Sequence, residues 1–221
     1  MRNLIIWCVC GGYGSAKLID YLVKAPKPKV EKFFIGYSDI TALHLFFSQH
    51  WSWQTIHGSV LMEIIAENKS KTNILKLLKI ILEKPKNNLI KNAKCLNKCA
   101  EKNNKISAII TGGNLALITS SIGTIWEINT NNKILFLEDV GERGYKVDRM
   151  LLQLQQAGKF SDVKAIVFGN FSSSDRYVNY AIRNFAENHS NIPCYKTNKI
   201  GHGYFNYPII YNKETKIQFK V

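Results

Sequence analysis

The chain has 221 residues, 46% of them hydrophobic and 11% aromatic, which is enough for one large domain or two small ones and excludes disorder as the main state. Its formal charge of +14 invites a nucleic-acid reading, but residues 69–105 alone hold eleven lysines against Glu83 and Glu101. That stretch has no arginine and no aromatic residue, and the whole chain carries 25 lysines to five arginines beside 21 asparagines and 27 isoleucines. AT-rich coding bias alone yields such a mix, so nucleic acid is not read as a partner.

The first ten residues lack a small-residue cleavage site, and no apolar run approaches a membrane span, so neither a signal peptide nor an anchor is read. Five cysteines, an odd number without metal-ligand spacing, argue against a disulfide scaffold or a metal site and fit a reducing cytoplasm.

In chain order, residues 4–9 read as a buried strand that ends at Gly11-Gly12-Tyr13-Gly14, and residues 15–22 as a helix. Residues 33–36 read as a second strand, and 40–50 as a helix with Leu43, Phe46 and Phe47 on its apolar side. Strand, tight loop and helix in repetition indicate an α/β layer on a parallel sheet, whose chemistry sits at the carboxyl ends of the strands. Residues 73–82 keep helical spacing. Residues 84–105 lose periodicity and gather Pro85, lysines and asparagines, which reads as a solvated connector. Beyond it, 106–110, 133–137 and 165–168 read as strands, and 147–157 and 176–187 as helices. The division is an N-terminal α/β domain over 1–83, a basic linker over 84–105 and a smaller C-terminal α/β domain over 106–221.

Three positions could carry chemistry. Ser38, in Gly36-Tyr37-Ser38-Asp39, falls between a predicted strand and a predicted helix. Read alone, it is either a helix N-cap or a nucleophile on a sharp turn, with the Asp39 N–H directed at an oxyanion. Glu138 ends an apolar run and is either a loop acid or the orienting partner of a histidine. His202 lies between Gly201 and Gly203, which leave its ring room to reach another element. His44 and His57 read as structural. The Gly11-Gly12-Tyr13-Gly14 loop lacks phosphate-loop spacing, but its N–H groups could serve an oxyanion.

Taken together these pieces resemble a known family. Cys10-Gly11-Gly12-Tyr13-Gly14-Ser15 comes first, followed by the long segment Phe34-Ile35-Gly36-Tyr37-Ser38-Asp39-Ile40-Thr41-Ala42-Leu43-His44 and by Gly112-Gly113-Asn114-Leu115. Leu137-Glu138-Asp139-Val140, Tyr145-Lys146-Val147-Asp148-Arg149-Met150-Leu151 and Gly201-His202-Gly203 complete the order. The run resembles the LD-carboxypeptidases, the muramoyltetrapeptide carboxypeptidase family of serine peptidases, over nearly the whole chain.

The resemblance implies a Ser-His-Glu triad of Ser38, His202 and Glu138, with the Asp39 and Gly12 N–H groups as oxyanion donors. It implies a flavodoxin-like N-terminal domain and a smaller C-terminal one that carries Glu138 and His202. The implied reaction is removal of the terminal D-alanine from a murein tetrapeptide during cytoplasmic peptidoglycan recycling, without metal or organic cofactor. Arg149 and Arg143 are candidate grips for the peptide carboxylate.

The family also carries strands and helices ahead of the Gly-Gly-Tyr-Gly loop, whereas Met1 lies ten residues before it here, and Cys10 stands where the family commonly has arginine. The N-terminal domain is therefore expected to be incomplete, to expose apolar faces and unpaired backbone, and to pair with a second copy as a homodimer or persist as an inactive binding protein. An immunity-type carboxypeptidase that cleaves peptidyl-nucleotide antibiotics would carry the same triad.

Overall fold

A computed structural model describes residues 4–66, 69–103 and 105–219. The N-terminal part runs β1 (Ile5–Trp7), a 3-10 turn (Ser15–Leu18), α1 (Ile19–Leu22), β2 (Phe33–Gly36), a second 3-10 turn (Ser38–Ile40), α2 (Thr41–His50) and β3 (Ile56–His57). Next come α3 (Leu61–Ile65), α4 (Lys71–Glu83), β4 (Asn88–Cys95), α5 (Lys98–Lys102), β5 (Ile106–Asn114) and α6 (Leu115–Ser120). The chain closes with β6 (Ile134–Val140), α7 (Gly144–Gln156), β7 (Ala165–Ser172), α8 (Tyr177–Asn188), β8 (Cys194–Gly201), β9 (Ile209–Ile210) and β10 (Glu214–Phe219).

Two β-systems result. A four-stranded sheet has the order β1-β2-β3-β9, with β1, β2 and β3 parallel and β9 antiparallel. A closed six-stranded barrel has the order β10-β4-β8-β7-β6-β5, its β5 to β8 arc parallel. Both are mixed α/β assemblies, as the sequence pattern implies.

In the barrel arc, alternate side chains face two different cores. Ile134 and Phe136 of β6 and Ala165 and Val167 of β7 point into the barrel. Leu135, Leu137, Ile166 and Phe168 point outward beneath α6, α7 and α8. Burial on both faces is why these strands read as unbroken apolar runs.

Three expectations need correction. A strand does form within residues 4–9, at Ile5–Trp7, but it is not buried: Ile5 is 47% and Ile6 44% exposed. β1 is an edge strand, paired among the described residues with β2 alone, so its apolar side chains meet solvent. Residues 84–105 are not a structureless linker. They hold β4, a barrel strand parallel to β10 and antiparallel to β8, and α5.

The strand was hidden by Asn92, which sits at φ 56 in a bulge where the register against β10 shifts. An extra residue there sets Ile90 and Ala93 three apart on the inward side instead of two, with Lys91 and Asn92 between them facing water. The expected boundary at residue 106 is also crossed, because β9 returns to complete the N-terminal sheet beside β3.

Gly112 in β5 passes so close to β6 that a β-carbon there would lie 1.9 Å from the Phe136 carbonyl oxygen, and its φ of 137 suits glycine alone. Gly112→Ala is expected to lose at least about 3 kcal/mol of stability or to fail to fold, checked by urea denaturation against the parent chain.

Candidate active site

β2 delivers Ser38. The strand ends at Gly36, the extended Tyr37 follows, and Ser38 turns sharply at φ 64 before α2 begins. A non-glycine residue held in this left-handed region is strained, and the strain lifts the side chain out of the turn. The hydroxyl does not cap the helix; it lies 3.0 Å from His202 Nε2. The N-cap alternative therefore gives way.

β6 delivers Glu138, which is fully buried. β8 delivers His202 through Gly201, whose φ of 108 lets the chain pass over the acid: a β-carbon at Gly201 would lie 2.9 Å from Glu138 Cβ. Glu138 Oε2 accepts the His202 backbone N–H at 3.2 Å and pairs closely with His202 Nδ1. A carboxylate on Nδ1 fixes the proton there, so Nε2 is the acceptor facing the Ser38 hydroxyl. Three residues far apart in sequence thus form one continuous hydrogen-bonded line.

The surroundings tie both turns down. Asp39 Oδ2 accepts the Ser15 N–H at 2.8 Å, and the Ser15 hydroxyl donates to the Asp39 carbonyl, so the glycine loop is fastened to the Ser38 turn. Gly11 lies directly against Ser38, with room of only 3.1 Å between the Ser38 Cβ and a β-carbon placed on it. The glycine loop, through Gly11, and Asp39 thus both adjoin Ser38.

Asp139, next to Glu138, accepts from Asn114 Nδ2 at 2.9 Å and from the Ala116 N–H at 3.0 Å. Burial pushes its carboxyl up to about 6. Arg149 and Arg143 are not brought to the line. Arg149 stacks over Tyr145 on the exposed side of α7, and Arg143 opens that helix with its charge toward Asp175.

Residues the sequence did not single out complete the frame. The Tyr37 hydroxyl donates to Glu63 Oε1, which pairs with Lys69 at 3.2 Å, and Lys69 donates to the Gly203 carbonyl at 2.8 Å. Burial, reinforced by the bond to Glu63, drives the Tyr37 phenol far above its ordinary range. Its ring lies 4.6 Å from the His202 ring. A lone acid in the apolar segment Val60-Leu61-Met62-Glu63-Ile64-Ile65 was the available signal.

Behind the His202 turn, Asn206 Oδ1 accepts from the Gly201 N–H at 2.9 Å and from His57 Nε2 at 3.0 Å. Tyr211 closes this second chain on His57 Nδ1 at 3.2 Å. His44 bonds the Gly36 carbonyl at 2.9 Å, so both histidines read as structural do hold backbone or partner groups.

With this geometry in place, the comparisons define the class. The chain belongs to the LD-carboxypeptidase family: residues 3–58 match the profile of its N-terminal domain and residues 107–217 that of its C-terminal domain. It is 49% identical over 213 residues to a protein of Rickettsia conorii named as a carboxypeptidase, covering 96% of this chain and 67% of that one. It is 34% identical over 169 residues to a Bacillus subtilis protein named as a murein peptide carboxypeptidase, covering 75% of this chain and 51% of that one. The structure superimposes on that of a muramoyltetrapeptide carboxypeptidase from Oxalobacter formigenes with a TM-score of 0.78. That match covers 99% of this chain and 76% of the other at 23% identity, a likeness of fold.

Burial lowers His44 to about 4 and His57 to about 3, from an ordinary 6.5. Both rings stay neutral in the fold at pH values where the unfolded chain takes up protons. Stability is therefore fully present above pH 6.5 and is lost as pH falls, through about 4 for His44 and about 3 for His57. The loss is about 1.4 kcal/mol per pH unit for each ring. Urea midpoints between pH 7 and 4.5 check this, and His57→Phe should roughly halve the slope.

Proposed function

We propose that this protein is a serine-type LD-carboxypeptidase that removes the terminal D-alanine of murein tetrapeptide in cytoplasmic peptidoglycan recycling. The observation that carries the reading is the line from Ser38 Oγ through His202 to the buried Glu138. Family membership and the murein peptide named for the Bacillus subtilis relative support the substrate class. The cytoplasmic setting is supported by five cysteines, all free thiols.

In the proposed reaction, Ser38 Oγ attacks the carbonyl carbon of the L,D bond, and its proton passes to His202 Nε2. The oxyanion is held by the N–H of Asp39, the residue after Ser38, and by the Gly12 N–H of the glycine loop fastened to that turn. Loss of one such donor typically costs about 3 kcal/mol of barrier. Glu138 keeps the Nδ1 proton in place and stabilises the imidazolium. The tetrahedral intermediate collapses as His202 protonates the departing D-alanine amine, leaving an ester on Ser38. Water then attacks that ester, giving its proton to His202, and the proton returns to Ser38 as the tripeptide leaves.

The test is incubation of the purified chain with tetrapeptide, monitored for tripeptide and free D-alanine. Ser38→Ala is expected to lower kcat at least about 10³-fold with the fold intact by circular dichroism. Glu138→Gln, which keeps the shape but loses the charge, should lower kcat about 10²-fold or more. Turnover unaffected by Ser38→Ala would overturn the mechanism.

A further inference from the structure

One ammonium group holds the His202 turn by two separate routes. Lys69 stands just ahead of α4, and its Nζ donates at 2.8 Å to the carbonyl of Gly203, the residue after His202. The same Nζ pairs at 3.2 Å with Oε1 of Glu63, on α3, and that oxygen also accepts the Tyr37 hydroxyl. The phenol, held far above its ordinary range by burial, stays a donor to Glu63. The Tyr37 ring in turn lies 4.6 Å from the His202 ring. The first route fixes the backbone beside the histidine, and the second fixes one face of its imidazole. Because Tyr37 directly precedes Ser38, the second route also reaches the turn that carries the hydroxyl.

The residues after Lys69 extend the grip. The Ser70 N–H donates to the Tyr204 carbonyl at 3.0 Å, and Asn73 Nδ2 reaches the same carbonyl at 3.3 Å. Asn73 Oδ1 accepts the Asn206 N–H at 3.1 Å. These bonds hold residues 204 and 206, while Lys69 takes the carbonyl next to His202 itself.

Such a network is an unfavourable way merely to fasten two turns. The Lys69 and Glu63 side chains are only 14% and 17% exposed. Desolvation offsets most of the attraction in a buried ion pair, and apolar residues of similar volume often replace one without loss of stability. The second Glu63 oxygen is buried with no hydrogen-bond partner among the described residues, which adds a further penalty. What the polar groups contribute is direction, since hydrogen bonds set the distance and angle of the groups they join. Direction matters here because His202 Nε2 must stay 3.0 Å from the Ser38 hydroxyl.

We propose that Lys69 is a positioning residue, acting with Glu63 and Tyr37 to hold the His202 imidazole in line between Ser38 and Glu138. Its effect on rate rests on the peptidase reading. Its effect on the histidine does not, so the two are measured separately.

The experiment compares Lys69→Met, Lys69→Arg and the triple variant Tyr37→Phe/Glu63→Leu/Lys69→Met, which removes the polar groups together and keeps their volume. The triple variant should match or exceed the parent chain in urea midpoint, yet release D-alanine from tetrapeptide with kcat about 30-fold lower and KM within about twofold. Lys69→Met should lose kcat similarly, and Lys69→Arg, which keeps a donor for both oxygens, should return to within about fivefold of the parent. Independently of turnover, the proton shared by His202 Nδ1 and Glu138 is read in water as a low-field ¹H resonance, assigned by its absence in His202→Asn. That resonance should shift or broaden in Lys69→Met at a pH where the chain remains folded.

Parent-like kcat and an unmoved resonance in the triple variant would overturn the proposal. So would a lowered urea midpoint with kcat unchanged per folded molecule, which assigns the network to folding alone. A parent chain that releases D-alanine, with kcat unmoved in every Lys69 variant, keeps the peptidase and loses the positioning role. A parent chain that releases none, yet has a low-field resonance that Lys69→Met disturbs, keeps the positioning role and loses the peptidase.

Discussion

A carboxylate sealed from water dictates the arrangement of this molecule. Glu138 sits within an interior barrel strand with no exposed surface, and a buried charge is tolerated only where donors meet it. The donors are the ring and the backbone N–H of His202, on a strand two places away in the barrel. To bring them over the acid, β8 shifts register against β7 near Asn170 and Gly201 takes a left-handed φ. The local irregularities at this end of the barrel thus share one electrostatic cause.

The second half of the site belongs to a different sheet, and the fold spends much of its polar bonding on joining the two. Tyr37, Glu63, Lys69 and Gly203 link the turn after β2 to the turn after β8 from one side. Tyr211, His57, Asn206 and Gly201 link the end of β3 to the end of β8 from behind. β9, arriving from the far end of the chain, hydrogen-bonds β3 and locks the sheet beside the barrel. The 3.0 Å contact between Ser38 and His202 sits between these crossings, which fix the two turns against each other.

Much of this was legible in the residues. The strand at 33–36 and the helices after it follow from apolar spacing, as do the barrel strands beginning near 106, 134 and 165, whose apolar runs report burial on both faces. The motifs around Ser38, Glu138 and His202 marked the three residues whose side chains meet in one hydrogen-bonded line. β4 escaped notice because Asn92 in its bulge breaks the two-residue alternation, and its lysines then look like those of a loop. The exposure of β1 was misread because Ile5 and Ile6 are apolar, and composition says nothing of whether a neighbour covers an edge. Glu63 and Lys69 went unnoticed since each is ordinary until the other is adjacent.

The sequence by itself determined the class of fold, the residue types at the ends of the strands and the three side chains able to form a relay. Those are local matters, set by the period of apolar residues and by glycines at sharp turns. Only the tertiary structure decided that Ser38 faces His202 instead of capping its helix, that residues 88–95 close a barrel, and that Lys69 meets both Glu63 and the Gly203 carbonyl beside the histidine. Each of these depends on contacts between segments far apart in the chain. Such contacts are fixed by the packing of whole elements and by the pairing of buried polar groups, which no local pattern encodes.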